Sequence, residues 1–276
     1  MSNFIVQCPL LTERWEDDVL NKRFEIGRHI YNCLVTVTQK RYKEMIKTKI
    51  YRSAYSELVD TNKEIEKLSN RKKDFNEEIK SLKQKRSKSL NVLNALRKRY
   101  DISEYSFHND VKNMQKHFKT HIDSFTAQKI ATALWRAYKD LLFGEGKTIH
   151  YKKYGTFNSL EGKSNKTAIK YAEENIVWNG LKLPVKINKN SLYELQSLRN
   201  EIVYCRIVRK FVRKRYKFYV QIVFKGSAPI KVNAETGEVK HPLGSGDVGL
   251  DIGTQTIAIS SETTVNIFEL ADRVQN

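Results

Sequence analysis

The stretch GDVGLDIGTQTIAIS (246–260) places one carboxylate, Asp251, in an otherwise apolar run. A charge taken into a packed strand costs several kcal/mol unless it is paired, protonated or bound to a metal. The spacing predicts a strand that ends in this carboxylate, a turn at Gly253 and a second antiparallel strand, with Asp251 at a wet, chemical position. Gly253 lets the chain reverse and lets a ligand approach the backbone closely.

Upstream, the connector SAPIKVNAETGEVKHPLGSG (227–246) separates this stretch from a region whose hydrophobic period is two. The segments AIKYAEENIVWNGLKLPVKI (168–187) and EIVYCRIVRKFVRKRYKFYVQIVF (201–224) predict a small β-rich module with turns at Asn179-Gly180 and at RKRYK (213–217). In the second segment Ile207, Arg209, Phe211 and Arg213 share one side of an extended strand, and Val208, Lys210, Val212 and Lys214 share the other. The plain reading is an antiparallel hairpin with a charged turn that protects sheet edges. Against it stands the interleaving of Tyr151, Tyr154, Phe157, Tyr204, Tyr216 and Tyr219 with lysines and arginines, the combination that stacks bases and tracks phosphates.

Composition points the same way. The 276-residue chain carries 50 Lys+Arg against 31 Asp+Glu, a net charge of +19, and its 40% hydrophobic content suffices for a sizeable core. Such an excess faces solvent or a polyanion, and nucleic acid is the default partner because phosphate neutralisation releases counterions. A membrane is not expected, since the sequence holds neither a long apolar run nor a charged-then-apolar leader. Cys8, Cys33 and Cys205 form no CxxC pair, which argues for a reducing cytoplasm and against a zinc site within this chain.

The N-terminal half reads as helical. FIVQCPL (4–10) predicts a short strand ended by Pro9, and a helix follows with Thr12 as its cap and Val19, Leu20, Phe24, Ile26, Ile30, Tyr31 and Leu34 at helical spacing. From Leu58 to Leu96, steps of three and four set out a heptad seam, which predicts a long helix or a helical hairpin. Its charged run (71–89) reads as an outer face, with Lys83, Lys85, Arg86 and Lys88 free to touch phosphate. SFTAQKIATALWRAYKDLLF (124–143) predicts an amphipathic helix capped by Ser124 and stopped at Gly144-Glu145-Gly146, with Ile130, Leu134, Ala137, Leu141 and Leu142 as its apolar face.

Strand–turn–strand units like VGLDIG…TQTIAIS open both actin-like ATPases and RNase H-like nucleases, where the aspartate binds divalent metal. The order of parts decides between them. RFEIGRHIYNCLVT (23–36), SFTAQKIATALWRAYKDLLFGEGKTIHYKKYGTFNSL (124–160) and VGLDIGTQTIAIS (248–260) together resemble the TnpB-type, transposon-encoded, RNA-guided DNA nucleases, relatives of type V CRISPR effectors. The first resembles their R-x-x-YN helix, the second their Q-x-x-x-x-x-L-x-x-A…F…P-x-[FY]-K-x-[KR]…S segment, with His150 where a proline is usual, and the third their first RuvC-type strand pair.

The resemblance implies an α+β fold. A wedge-like β-barrel is expected from 1–11 and 145–240, a helical recognition domain from 12–143 inserted into it, and the first β-hairpin of an RNase H-like (RuvC-type) domain from 247–276. It makes Asp251 the first metal-binding carboxylate, for Mg²⁺ or Mn²⁺, and makes guide RNA and target DNA the partners. Charge and position select Lys152, Lys153, Arg209, Arg213, Lys214 and Arg215 as RNA contacts. Members of the family carry a second-strand glutamate, a late aspartate and usually a CxxC…CxxC zinc module, none of which stands in place before Asn276. The expectation is therefore a nuclease homologue truncated within the RuvC-like domain that does not cleave DNA alone. The alternatives are an endonuclease completed by a second polypeptide or an oligomer, and a non-enzymatic RNA-binding or coiled-coil scaffold protein. An ATPase fragment is disfavoured because no P-loop is present.

Overall fold

In the computed structural model of the chain, which describes residues 2–70, 76–143, 146–233, 236–240 and 246–269, the first strand does not pair with its sequence neighbours. Strand β1 (Asn3–Pro9) alternates exposed and buried positions, with Phe4, Val6 and Cys8 facing inward. Pro9 ends it, at a position where its missing N–H is tolerated.

Five helices follow. The first, α1 (Arg14–Lys47), is capped by Glu13 rather than by the expected Thr12: the Glu13 side chain accepts from the backbone of Glu16, and the Glu16 carboxylate accepts from the Glu13 N–H at 2.8 Å. This reciprocal arrangement satisfies two donors, one more than a lone threonine cap satisfies. Helices α2 (Lys49–Ser69) and α3 (Asn76–Arg99) pack together as a hairpin, in which Ser89 donates to Glu57 at 2.7 Å while Leu68 and Leu82 line one shallow cavity. Thr61, Ser89, Leu93 and Leu96 are the buried positions of the expected seam. The outer-face run 71–89 begins at 71–75, outside the described residues, as does most of the expected stop at 144–146.

Helix α4 (Glu104–His117) is capped by Ser103, and α5 (Ser124–Phe143) by Asp123. Asp123 takes the place expected for Ser124 because its Oδ1 accepts from the N–H groups of both Phe125 and Thr126 at 2.9 Å, and a carboxylate at a helix N-terminus also meets the helix dipole favourably. Ala127, Ile130, Ala131, Leu134, Tyr138 and Leu142 form the buried stripe of α5, and α1 packs against α4 and α5.

The remaining strands are β2 (Ser159–Glu161), β3 (Lys170–Ala172), β4 (Asn175–Trp178) and β5 (Leu181–Pro184). After a short helix α6 (Leu192–Ser197) come β6 (Ile202–Val212), β7 (Arg215–Lys225), β8 (Val248–Ile252), β9 (Thr256–Ser261) and β10 (Val265–Glu269). All three sheets are antiparallel, in the orders β1-β7-β6-β2, β3-β4-β5 and β10-β9-β8, so the fold is mixed α+β. Pairing of β1 with β7, from Asn3↔Lys225 to Pro9↔Tyr219, ties the N-terminal strand to the hairpin of β6 and β7 across the whole helical insertion. Cys205, Ile207, Phe218, Val220, Ile222 and Phe224 line the inner face of that hairpin. The chain divides into two compact units: residues 1–189 with 194–228, which hold the five long helices and the first two sheets, and residues 190–193 with 229–276, which hold the third sheet. No helix among the described residues is long and apolar enough to cross a membrane.

A buried arginine helps to fasten the β3-β4-β5 sheet to the helices. Arg23, 3% exposed, donates to the carbonyls of Trp178 at 2.9 Å and Asn179 at 2.6 Å, and its guanidinium lies 4.5 Å from the Trp178 ring centroid. Burial lowers its pKa to about 10, against the opposing pull of Asp123. Trp178 in turn donates from Nε1 to Asp123, so the cap of α5 and the floor of the small sheet share one carboxylate. Asn179 and Gly180 form the expected turn, both with positive φ, which is the geometry that an Asn-Gly pair accommodates best.

Gly27 reports how closely α1 meets the chain that follows α5. A Cβ there would stand 2.9 Å from Phe157 Cε1 and 3.0 Å from Leu160 Cδ2. Helix propensity alone would favour Gly27→Ala by about 1 kcal/mol, whereas overpacking a filled contact costs about 1–3 kcal/mol. The expected outcome is a lower urea midpoint for Gly27→Ala with an unchanged slope; a raised midpoint would show that this contact is loose.

Candidate nucleic-acid interface

The helix segment 23–36 and the end of the 124–160 stretch, residues 149–160, meet side by side. Asn32 on α1 grips the backbone of Lys152 from both sides, its Nδ2 donating to the Lys152 carbonyl at 2.9 Å and its Oδ1 accepting from the Lys152 N–H at 2.8 Å. One turn on, Thr36 lies 3.3 Å from the Tyr151 hydroxyl, and Gln39 donates to the Ile149 carbonyl at 3.0 Å. An amide side chain here substitutes for a neighbouring strand, holding a segment without regular structure in an extended path.

Glu25 is the hub of this arrangement. Its carboxylate accepts from Arg28 at 2.7 Å, from the N–H of Gly155 at 3.3 Å, and from Arg209 of β6 at 2.7 Å, across 184 residues of chain. Burial alone would raise the Glu25 pKa, but the hydrogen bonds from Arg209 and Arg28 outweigh it and hold the carboxyl below its ordinary value. Arg209 is 2% exposed. Its guanidinium also donates to Asn158 at 3.0 Å and Asn21 at 3.3 Å, and it is sandwiched between the rings of Phe24 and Tyr216, 4.8 and 4.6 Å from their centroids.

This placement corrects the expectation for Arg209. Period-two reading put it on the strand face with Ile207, and that face is the packed one. Its donors are occupied by protein oxygens, so Arg209 ties β6 to α1 and to Asn158 and offers no surface to a phosphate.

The other five expected contacts are exposed. Lys152 and Lys153 lie in the run Tyr151–Tyr154, where Tyr151 is 49% and Tyr154 77% exposed. Arg213, Lys214 and Arg215 form the tip of the β6–β7 hairpin beside Phe211, which is 65% exposed and meets the Tyr216 ring edge-on at 5.2 Å. The two runs come together at Gly155, where a Cβ would stand 2.7 Å from the Tyr216 hydroxyl. Only glycine fits there, since its φ is also +72°. At the tip, Arg213 (φ 50°) and Lys214 (φ 65°) occupy left-handed conformations at a cost on the order of 1 kcal/mol each. An Asn-Gly pair would make the same turn without that cost, so this tip holds cations where the fold alone favours small residues.

Sequence reasoning missed Glu25, Asn32 and Gln39 as positioning residues. The available signal was one acid three residues before Arg28 on a helix face otherwise basic and apolar. The thiols of Cys8 and Cys205 are buried and pushed up to about 11 and about 12 respectively, chiefly by desolvation, so they behave as core side chains.

Asp251 has a different setting from the one its apolar neighbours suggest. Every residue of β8 is exposed, so no buried charge needs compensation there. Its cross-strand partner is Ala258, which in turn faces Ile267 on β10, a third strand beyond the expected hairpin. Glu269 shares the Asp251 face but lies two strands away, on the order of 10 Å by sheet spacing alone. Oxygen ligands must sit within about 2.6 Å of a divalent ion, and among the described residues no group of three or more His, Cys, Asp or Glu side chains is gathered to hold one. The donor set around Asp251 therefore does not by itself fit a two-metal site.

Comparison with protein-family models and with curated proteins returned no match for this chain.

The hub makes acid stability a direct readout. Because the folded Glu25 pKa lies below its unfolded value, the unfolded chain binds more protons in acid. The stability supplied is fully present above the unfolded carboxylate pKa, about 4.3, and is lost as the pH falls through the folded value. Glu25→Gln is expected to cost about 3 kcal/mol at neutral pH, because it leaves a buried guanidinium uncompensated, and to flatten the acid limb of a stability–pH profile measured by urea unfolding. An unchanged acid limb would remove Glu25 from its role as hub.

Proposed function

We propose that this chain is a nucleic-acid-binding homologue of the TnpB-type RNA-guided DNA nucleases, acting in the cytoplasm on a guide RNA, with target DNA as the second polyanion. The observation that carries the reading is the meeting of two basic, aromatic runs, 151–154 and 211–216, at Gly155 and Tyr216. Phosphate tracking needs exposed cations free of acid partners, and base stacking needs exposed rings beside them. Lys152, Lys153, Arg213, Lys214 and Arg215 are exposed and make no ion pair among the described residues, and Tyr151, Tyr154 and Phe211 supply the exposed rings.

The finer architecture belongs to the same reading. The β1-β7-β6-β2 and β3-β4-β5 sheets correspond to the wedge-like barrel, the helices between β1 and β2 to the recognition insertion, and β8 to β10 to the opening strands of an RNase H-like domain. Asp251 then corresponds to that domain's first catalytic carboxylate. Cleavage with Mg²⁺ or Mn²⁺ would draw its further acidic ligands from outside the described residues, for instance from a second polypeptide, and this chain's own contribution is RNA binding.

The turn at the hairpin tip separates function from folding. Replacing Arg213 by Asn together with Lys214 by Gly removes two cations and relieves two left-handed side-chain residues. The double variant is expected to be at least as stable as the parent in thermal unfolding, while its affinity for structured RNA falls and the salt slope of log K shrinks by about 1.4, near 0.7 per lost single-strand phosphate contact. Unchanged affinity and slope would exclude the tip from the interface.

A further inference from the structure

Beside Lys152 the surface closes into a groove of about 390 Å³ between α1, α5 and the start of β2. Its walls differ in chemistry. Tyr31 and Phe157, with ring centroids 6.1 Å apart, line it together with the small side chains of Ala133 and Ala137 on α5. At one end Glu161 is locked by Lys129 at 2.8 Å and by Arg206, whose Nε also reaches it at 3.1 Å. Two cations thus outweigh one half-buried carboxylate, and Glu161 presents no free negative charge to a ligand. Arg136 and Lys152 complete the lining, and among the described residues neither makes an ion pair. The Lys152 ammonium instead lies 5.6 Å from the Tyr31 ring centroid.

We propose that this groove seats one unstacked nucleotide of a single-stranded nucleic acid, its base between the aromatic wall and the alanines of α5 and its phosphate between Arg136 and Lys152. The volume argues for one nucleotide rather than a stacked run, since it lies near the lower bound for small-molecule sites, about 300 Å³. The alanines leave the gap that a planar ring needs, and an acidic peptide would make no use of the aromatic wall. Continuity argues for a polymer over a free nucleotide, because Lys152 belongs both to this groove and to the exposed run 151–154. The inference rests on the RNA-binding reading above and deepens it by fixing where a base leaves the stack.

The test uses the full chain and a single-stranded RNA, with an abasic position moved stepwise along the oligonucleotide, and fluorescence anisotropy as readout. One abasic position is expected to weaken binding about tenfold, in keeping with the loss of one base stacked on an aromatic side chain. Ala133→Trp, at an exposed helix position that tolerates bulk, should fill the groove, reproduce that loss with intact RNA and leave the abasic profile flat. Arg136→Glu should weaken binding of intact and abasic RNA alike. Thermal unfolding checks that both variants remain folded. Salt-sensitive RNA binding that neither Ala133→Trp nor any abasic position alters would overturn the groove and leave the surface reading standing, whereas no RNA binding at all would overturn both. Micromolar binding of a free mononucleotide, unlinked from RNA affinity, would overturn the polymer assignment.

Discussion

A single carboxylate joins three parts of this chain that lie far apart in sequence. Glu25 holds Arg28 on its own helix, the backbone of Gly155 in the segment after α5, and Arg209 in the middle of β6. Low dielectric makes each of these interactions stronger than it would be in water, and makes the loss of any one costly. A hydrophobic contact at the same place would bring α1 and the sheet together with comparable stability. It would not fix the direction of the 151–156 loop, because only a hydrogen-bond acceptor orients a peptide N–H. The proposed interface rests on that constraint: with Gly155 fixed against Tyr216, the loop that carries Lys152 and Lys153 is held against the hairpin that carries Arg213, Lys214 and Arg215.

The same logic explains how a strongly basic protein keeps a packed interior. Arg23 and Arg209 are both almost fully buried, and each lies over an aromatic ring while donating to oxygens. Guanidinium is weakly hydrated and planar, so it enters such sites at lower cost than an ammonium. Among the described residues no lysine is buried. Much of the excess charge is therefore displayed at the periphery, and a small part of it holds the helices to the two sheets.

The regular elements were readable because each rests on a local pattern. Alternation in FIVQCPL, the Asn-Gly turn, the heptad steps after Leu58 and the apolar stripe of α5 all depend on residues close in sequence. What pairs with what was less legible. Glu13 and Asp123 replaced Thr12 and Ser124 as caps because neighbouring N–H groups, set by the actual first turn, decide which oxygen is in reach. Arg209 was taken for a phosphate ligand since charge in a strand ordinarily faces solvent, and its partner lies on a helix 184 residues away. Asp251 stands at the wet position its charge requires, and what the apolar pattern left illegible is that β8 exposes Val248, Leu250 and Ile252 together with it. Of the six expected cationic positions, five are exposed, on the 151–154 run and the hairpin tip, and the sixth, Arg209, is buried against Glu25.

Amide hydrogen exchange of the full chain with and without a structured RNA tests this account most directly. The account predicts that peptides spanning 149–160 and 207–219 gain protection together at RNA concentrations that saturate binding, since one hub aligns both. Protection confined to the α2–α3 hairpin, with both of those regions unchanged, would contradict it.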